Sequence, residues 1–178
     1  MRIAICGSHL VGKTTLAQAL AGALPGHELV PEPYHLLEEE GNEFTEMPSV
    51  DDFERQLERS LSCLQESGAN ALFDRCPLDI LAYLSAHRDA DAFNLADWMP
   101  RVRDLVPSLD VIVFVPIEDP DRVPVPRSQA RLRAEVDTRL SDIVVDDAYG
   151  LELDVVTVAG TTESRVRQVL THLRRKGS

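Results

Sequence analysis

The sequence is short of nearly everything that marks a specialised environment. Its three cysteines, Cys6, Cys63 and Cys76, are widely spaced and form no CxxC pair. They read as reduced thiols of a cytoplasmic protein rather than a disulfide frame. The five histidines, His9, His27, His35, His87 and His172, are scattered, which argues against a zinc site. No apolar run approaches the length of a membrane span. No signal-peptide pattern precedes the first strand. Basic residues are outnumbered, 18 against 30 acidic ones, for a formal net charge of -12. Without a basic excess to neutralise phosphates, long nucleic acids and anionic membranes are poor partners. No internal repeat is visible.

What remains is a chain of 178 residues, 44% apolar and 27% charged, the size and balance of one globular domain over 1–178. Apolar runs alternate with amphipathic stretches. Strands are expected at Arg2–Cys6, Glu28–Val30, Ala71–Phe73, Asp110–Ile117 and Leu153–Val158. Helices are expected at Lys13–Leu24, Asp51–Ser67, Pro77–His87, Leu95–Val106, Arg127–Val145 and Glu163–Arg175. Leu132, Val136, Leu140 and Ile143 should face inward on the fifth of these, and Val166, Val169, Leu170 and Leu173 on the last. The acidic stretch Glu38–Met47 reads as a loop or irregular helix. Continuous apolar strands separated by helices imply an α/β fold with a parallel sheet covered on both faces. In such sheets ligands gather beyond the carboxyl ends of the strands.

The strongest local signal lies there. Gly7, Ser8, His9, Leu10, Val11, Gly12, Lys13 and Thr14 spell G-x-x-x-x-G-K-[ST] between the first strand and the first helix. A chance match in a chain of this length has a probability of about 1 in 100 or less. The glycines permit a tight loop and close approach of backbone to phosphate. Main-chain N–H groups and the helix N-terminus favour an anion. Lys13 is then expected at the β and γ phosphates, the Thr14 hydroxyl on Mg²⁺, and Thr15 near the α phosphate. ATP with Mg²⁺ is the expected ligand.

Three further sets follow strands. Glu32, between Pro31 and Pro33, stands where a carboxylate can accept a proton from an acceptor hydroxyl, or is a surface residue of a proline turn. Asp74 stands where a P-loop protein needs a second Mg²⁺ carboxylate, or is a helix cap before Pro77. Arg75 is a candidate for the acceptor or the transferred phosphoryl group, or forms a surface ion pair with Asp79. Glu32, His35, Arg75 and Asp79 make up the candidate acceptor-binding set. Arg127 and Arg131, four apart after the proline-rich segment 119–126, are candidate catalytic cations, with Arg133 and Arg139 nearby. The competing reading is a solvated helix face. Gly160, in Gly160-Thr161-Thr162, either passes close to a base or ribose or is a loop before the last helix. Trp98 and Tyr83 either stack on a substrate or pack.

GSHLVGKTT at Gly7–Thr15, VPEP at Val30–Pro33 and Asp74-Arg75 before an apolar helix resemble, in that order, the small P-loop kinases of deoxynucleosides and nucleoside monophosphates. The Glu-Pro of deoxynucleoside kinases, whose Glu is the general base, maps to Glu32. Their acidic-Arg-Ser motif maps to Asp74-Arg75-Cys76, with Asp for Glu and Cys for Ser. FDRCPLDILAYL at Phe73–Leu84 and VAGTTESRVRQV at Val158–Val169 are similar to small bacterial AAA-labelled ATP-binding proteins related to ribosylnicotinamide kinase. The resemblance implies a three-layer P-loop kinase fold with strand order 2-3-1-4-5 and an arginine-bearing lid at about Asp119–Arg139. It implies γ-phosphoryl transfer to a hydroxyl of a small acceptor such as a nucleoside, a nucleotide or a related metabolite. A regulatory ATPase with a protein partner, or a kinase of an antibiotic or a nucleic-acid 5′ end, is the rival. No NKxD-type guanine-reading motif follows the fourth strand. Asp51–Ser67 and Pro77–His87 are candidate homodimer faces.

Overall fold

The computed structural model describes every residue except 46, 47, 122, 124, 177 and 178, and the side chain of Arg127. Five strands, β1 (Arg2–Cys6), β2 (Glu28–Val30), β3 (Ala71–Asp74), β4 (Val111–Phe114) and β5 (Val155–Thr157), form one sheet in the order β2-β3-β1-β4-β5. Every pairing is parallel. This is the three-layer P-loop kinase fold that the sequence motifs imply.

The strands send alternate residues to two layers, as the pleat requires. Ala4, Cys6, Phe73, Ile112 and Phe114 meet helices α3 (Val50–Glu66), α4 (Pro77–Ala86), α5 (Leu95–Leu105) and α6 (Arg127–Val144). Ile3, Ile5, Leu72, Val111, Val113 and Val115 meet α1 (Lys13–Ala23) and α7 (Thr162–Lys176). Fully buried side chains such as Leu16, Leu57 and Leu81 each contribute about 1.5–3 kcal/mol. Helix α3 begins with a reciprocal cap, the Ser49 side chain accepting from Asp52 N at 3.2 Å and the Asp52 carboxylate from Ser49 N at 2.9 Å.

Several expected boundaries shift. β4 stops at Phe114 rather than Ile117, because Pro116 brings no N–H to the ladder. β5, at the sheet edge, keeps three residues. A helix the sequence did not suggest, α2 (Pro33–Glu39), follows β2 directly. Pro33 at its first turn supplies a helical φ, and Pro33 and Leu37 are its buried anchors. On α6 the expected inward Leu132 is exposed and Arg133, 4% exposed, takes the inward slot before Val136, Leu140 and Ile143. On α7 Arg165, 7% exposed, does the same before Val169 and Leu173, leaving Val166 and Leu170 only half-buried.

Candidate active site

The loop between β1 and α1 is fixed from beneath and from both flanks. A Cβ on Gly7 would stand 2.5 Å from the Val115 carbonyl oxygen, so no side chain fits there. Gly7 N donates to Asp79 Oδ1 at 2.9 Å, and Cys76 N donates to Asp79 Oδ2 at 3.0 Å. Asp79 is fully buried with both oxygens engaged. That corrects its expected place among acceptor-binding residues: it ties the P-loop to the N-terminus of α4. Hydrogen bonds of this charged kind each contribute about 1.5–3 kcal/mol. Gly12, with φ at +88°, makes the turn into α1 in the left-handed region that glycine favours.

Three cations hold the loop carbonyls. Lys13 Nζ donates to Ser8 O at 2.7 Å, Arg133 Nε to His9 O at 2.8 Å, and Arg165 Nη1 to Val11 O at 2.7 Å. Arg133 is itself ion-paired with Asp121. Burial first, then the nearby Arg75 charge, pushes the Lys13 pKa down to about 8. Thr14 and Asp74 come together as expected, the threonine hydroxyl near enough to the carboxylate to hold its pKa down. Burial first, then the Glu32 charge, raises the Asp74 carboxyl above its usual range. Asp74 Oδ1 is buried and has no hydrogen-bond partner among the described residues. A buried carboxylate oxygen without a donor, beside a hydroxyl, is a hard-oxygen set of the kind Mg²⁺ takes.

Glu32 and Arg75 also meet. Glu32 precedes α2 and Arg75 follows β3, and their side chains form an ion pair with Oε1 2.8 Å from Nε. Arg75 adopts φ at +87°, the left-handed region. Its guanidinium lies 5.2 Å from the centroid of the Tyr83 ring, which stacks on Phe53 at 5.4 Å. Burial opposes the charge on Arg75. The charges of Glu32 and Asp79 and the Tyr83 hydroxyl outweigh it and hold the guanidinium charged. Tyr83 therefore packs, as one of its two sequence readings had it, but its hydroxyl also bonds the P-loop through His9 N at 2.9 Å. Trp98 packs too, its Nε1 donating to Glu54 at 3.1 Å. His35 stands apart from the pair: it is exposed on α2, 3.1 Å from Glu38 Oε2.

On the other side of the loop lies a cavity of about 310 Å³ beside Leu10, Gly12, Ile117, Gly160 and Thr161. Gly160 lines it. Glu118 Oε1 closes its floor, accepting from Gly160 N at 2.8 Å and Arg165 Nη2 at 2.7 Å. The lid arginines need correction. Arg131 is exposed, because residues two apart on a helix face opposite ways and Arg133 faces the P-loop. The expected role of Arg127 lies outside the described side chains. Arg165 was not singled out from sequence, and Arg133 only as a neighbour. The signal was an arginine in the inward slot of each helix.

A family of AAA domains matches residues 2–165. The chain belongs to that family. No curated protein matches the sequence. Among solved structures, this member of the family is similar to a deoxyadenosine kinase from M. mycoides, with TM-score 0.68, 14% identity and 98% and 99% of the two chains covered. It is similar to thymidylate kinase from Candida albicans, with TM-score 0.67 and 16% identity over 98% of this chain and 91% of that one. A NadR protein bound to NAD and AMP-PNP gives TM-score 0.69 and 19% identity over 97% of this chain and 48% of the other. At such identities the likeness speaks for the fold. Among the described residues, no helix is long and apolar enough to cross a membrane.

Proposed function

We propose that this AAA-family chain is an ATP- and Mg²⁺-dependent phosphotransferase, acting as a single domain, that moves the γ-phosphoryl group to a hydroxyl of a small acceptor. The observation that carries the reading is the Glu32–Arg75 pair beside Thr14, Asp74 and Lys13. A nucleotide switch needs the phosphate loop and a metal site. It has no use for a carboxylate–guanidinium pair at the ends of two neighbouring strands, facing the loop.

In this scheme the P-loop and Lys13 bind the triphosphate, and the cavity at Gly160 takes the base. Thr14 and Asp74 hold Mg²⁺, which when bound neutralises phosphate charge. Glu32 accepts the proton as the acceptor O–H bond breaks and the new O–P bond forms. The bond between the γ-phosphorus and the β–γ bridging oxygen breaks, and ADP leaves. Arg75 orients Glu32 and draws the phosphoryl charge. Arg133 belongs to the lid and steadies the loop. A nucleoside, nucleotide or related metabolite is the expected acceptor class, which the names of the deoxyadenosine and thymidylate kinase neighbours support.

The test is ATP consumption with Mg²⁺ against a panel of nucleosides, nucleotides, vitamins and aminoglycosides, with Lys13→Ala as the blank. Stimulation by one acceptor, absent in the blank, is expected. Hydrolysis indifferent to every acceptor would replace this reading with a regulatory ATPase.

A further inference from the structure

Position 9 of the P-loop motif is free to vary, and here it is histidine. The Tyr83 hydroxyl decides the state of this ring. That oxygen accepts the main-chain N–H of His9 at 2.9 Å, and among the described residues its own proton has His9 Nδ1 as its acceptor. The reverse arrangement, with Nδ1 donating, would leave both that proton and Nε2 unsatisfied. His9 Nδ1 lies 3.0 Å from the same oxygen and is its acceptor. A neutral imidazole that accepts at Nδ1 carries its hydrogen on Nε2. The ring is neutral, because burial first, and then Lys13, Arg133 and Arg75, push its pKa down to about 4.

His9 Nε2 is buried and has no hydrogen-bond partner among the described residues. A buried N–H without an acceptor is costly. The charges that depress the ring's pKa are three cations, and none of them can accept. What would satisfy such a donor, in a setting of positive charge, is an anionic oxygen. We propose that His9, held by Tyr83 as its Nε2–H tautomer, donates that hydrogen to an oxygen of the phosphoryl group in transfer. The proposal rests on the phosphotransfer reading and adds a residue to it. His9 touches the reacting group; Tyr83 is a positioning residue. A neutral donor stabilises developing charge without adding a fourth cation to Lys13, Arg133 and Arg75.

The test is titration calorimetry of the wild type, His9→Phe and His9→Gln with MgADP and with the Mg²⁺ complex of a non-hydrolysable ATP analogue. His9→Phe should lose about tenfold in affinity for the triphosphate analogue and less than about twofold for ADP. His9→Gln, which restores a donor, should stay within about threefold of the wild type for both nucleotides. Nitrogen-edited NMR of the wild type near neutral pH reads the ring directly, and should show hydrogen on Nε2 alone. Tyr83→Phe should turn that signal into a tautomer mixture. Wild-type binding with no change in His9→Phe, or a ring carrying hydrogen on Nδ1, overturns the proposal and leaves phosphotransfer standing. A wild type that binds neither nucleotide overturns both.

Discussion

The two sides of the candidate site are built by opposite means. On the nucleotide side the chain is held through its backbone. Asp79 receives the N–H of Gly7, while Arg133 and Arg165 take the carbonyls of His9 and Val11. On the proposed acceptor side the central contact is between side chains alone, Glu32 to Arg75, with α2 partly exposed beyond it. A backbone cradle suits a ligand that never changes, since every triphosphate presents the same oxygens. A pair of side chains suits a site whose partner varies between relatives, because it is altered without disturbing the loop.

Four measurements test that division. Replacing Glu32 by Gln should lower phosphoryl transfer by about 10²–10⁴-fold and leave the dissociation constant for MgATP within about twofold. A parallel loss of ATP affinity would mean that the two sides are not separable. Asp79→Asn, on the nucleotide side, should remove an acceptor from a buried N–H and lower unfolding stability by about 1–3 kcal/mol, read as a fall in urea midpoint. An unchanged midpoint would show that Gly7 is held by packing against Val115 instead. Next comes a contrast within one helix. Arg133→Ala should weaken MgATP binding by about tenfold, as expected for loss of one charged hydrogen bond, while Arg131→Ala should stay near the wild type. Equal effects would put the lid in a different arrangement.

The smallest effect is a proton. Burial pushes the Lys13 pKa down from the ordinary 10.5 to about 8, so above that pH its amine is mostly neutral. A bound triphosphate favours the charged form and raises that pKa. Nucleotide binding should therefore take up a fraction of a proton above this pH and none well below it. Calorimetry in buffers of different ionisation enthalpy measures the uptake. Release instead of uptake would contradict the sign, and no uptake would place Lys13 in ordinary solvent.

What was legible in the sequence follows the same division. The P-loop could be read because its residues are neighbours in the chain, so spacing alone encodes their geometry. The strands could be read because buried parallel strands are continuous apolar runs. Thr14 with Asp74 could be anticipated because the sheet brings strand ends together, whereas the ion-pair reading of Arg75 pointed to Asp79 and the pair forms with Glu32 instead. Asp79 was misassigned because its role depends on a contact with Gly7 across 72 positions, which no local pattern carries. Arg165 was passed over, and Arg133 named only as a neighbour, because a periodicity reading assigns inward slots to apolar residues, and these arginines fill such slots with their stems. Helix α2 was missed because Pro31-Glu32-Pro33 reads as a break, although proline at a first turn starts a helix as readily as it stops one.

One consequence of the left-handed backbone at Arg75 concerns how this protein would evolve in the laboratory. Holding a non-glycine residue at φ of +87° costs about 1–2 kcal/mol. Glycine at 75 with Gln at 32 would release that strain and leave no carboxylate unpaired. A library of variants ranked by heat resistance alone should therefore drift away from the Glu32–Arg75 pair. One ranked by the fitness of a host that needs the enzyme should retain it. Positions where the two rankings disagree mark the working parts of the molecule before any substrate is in hand.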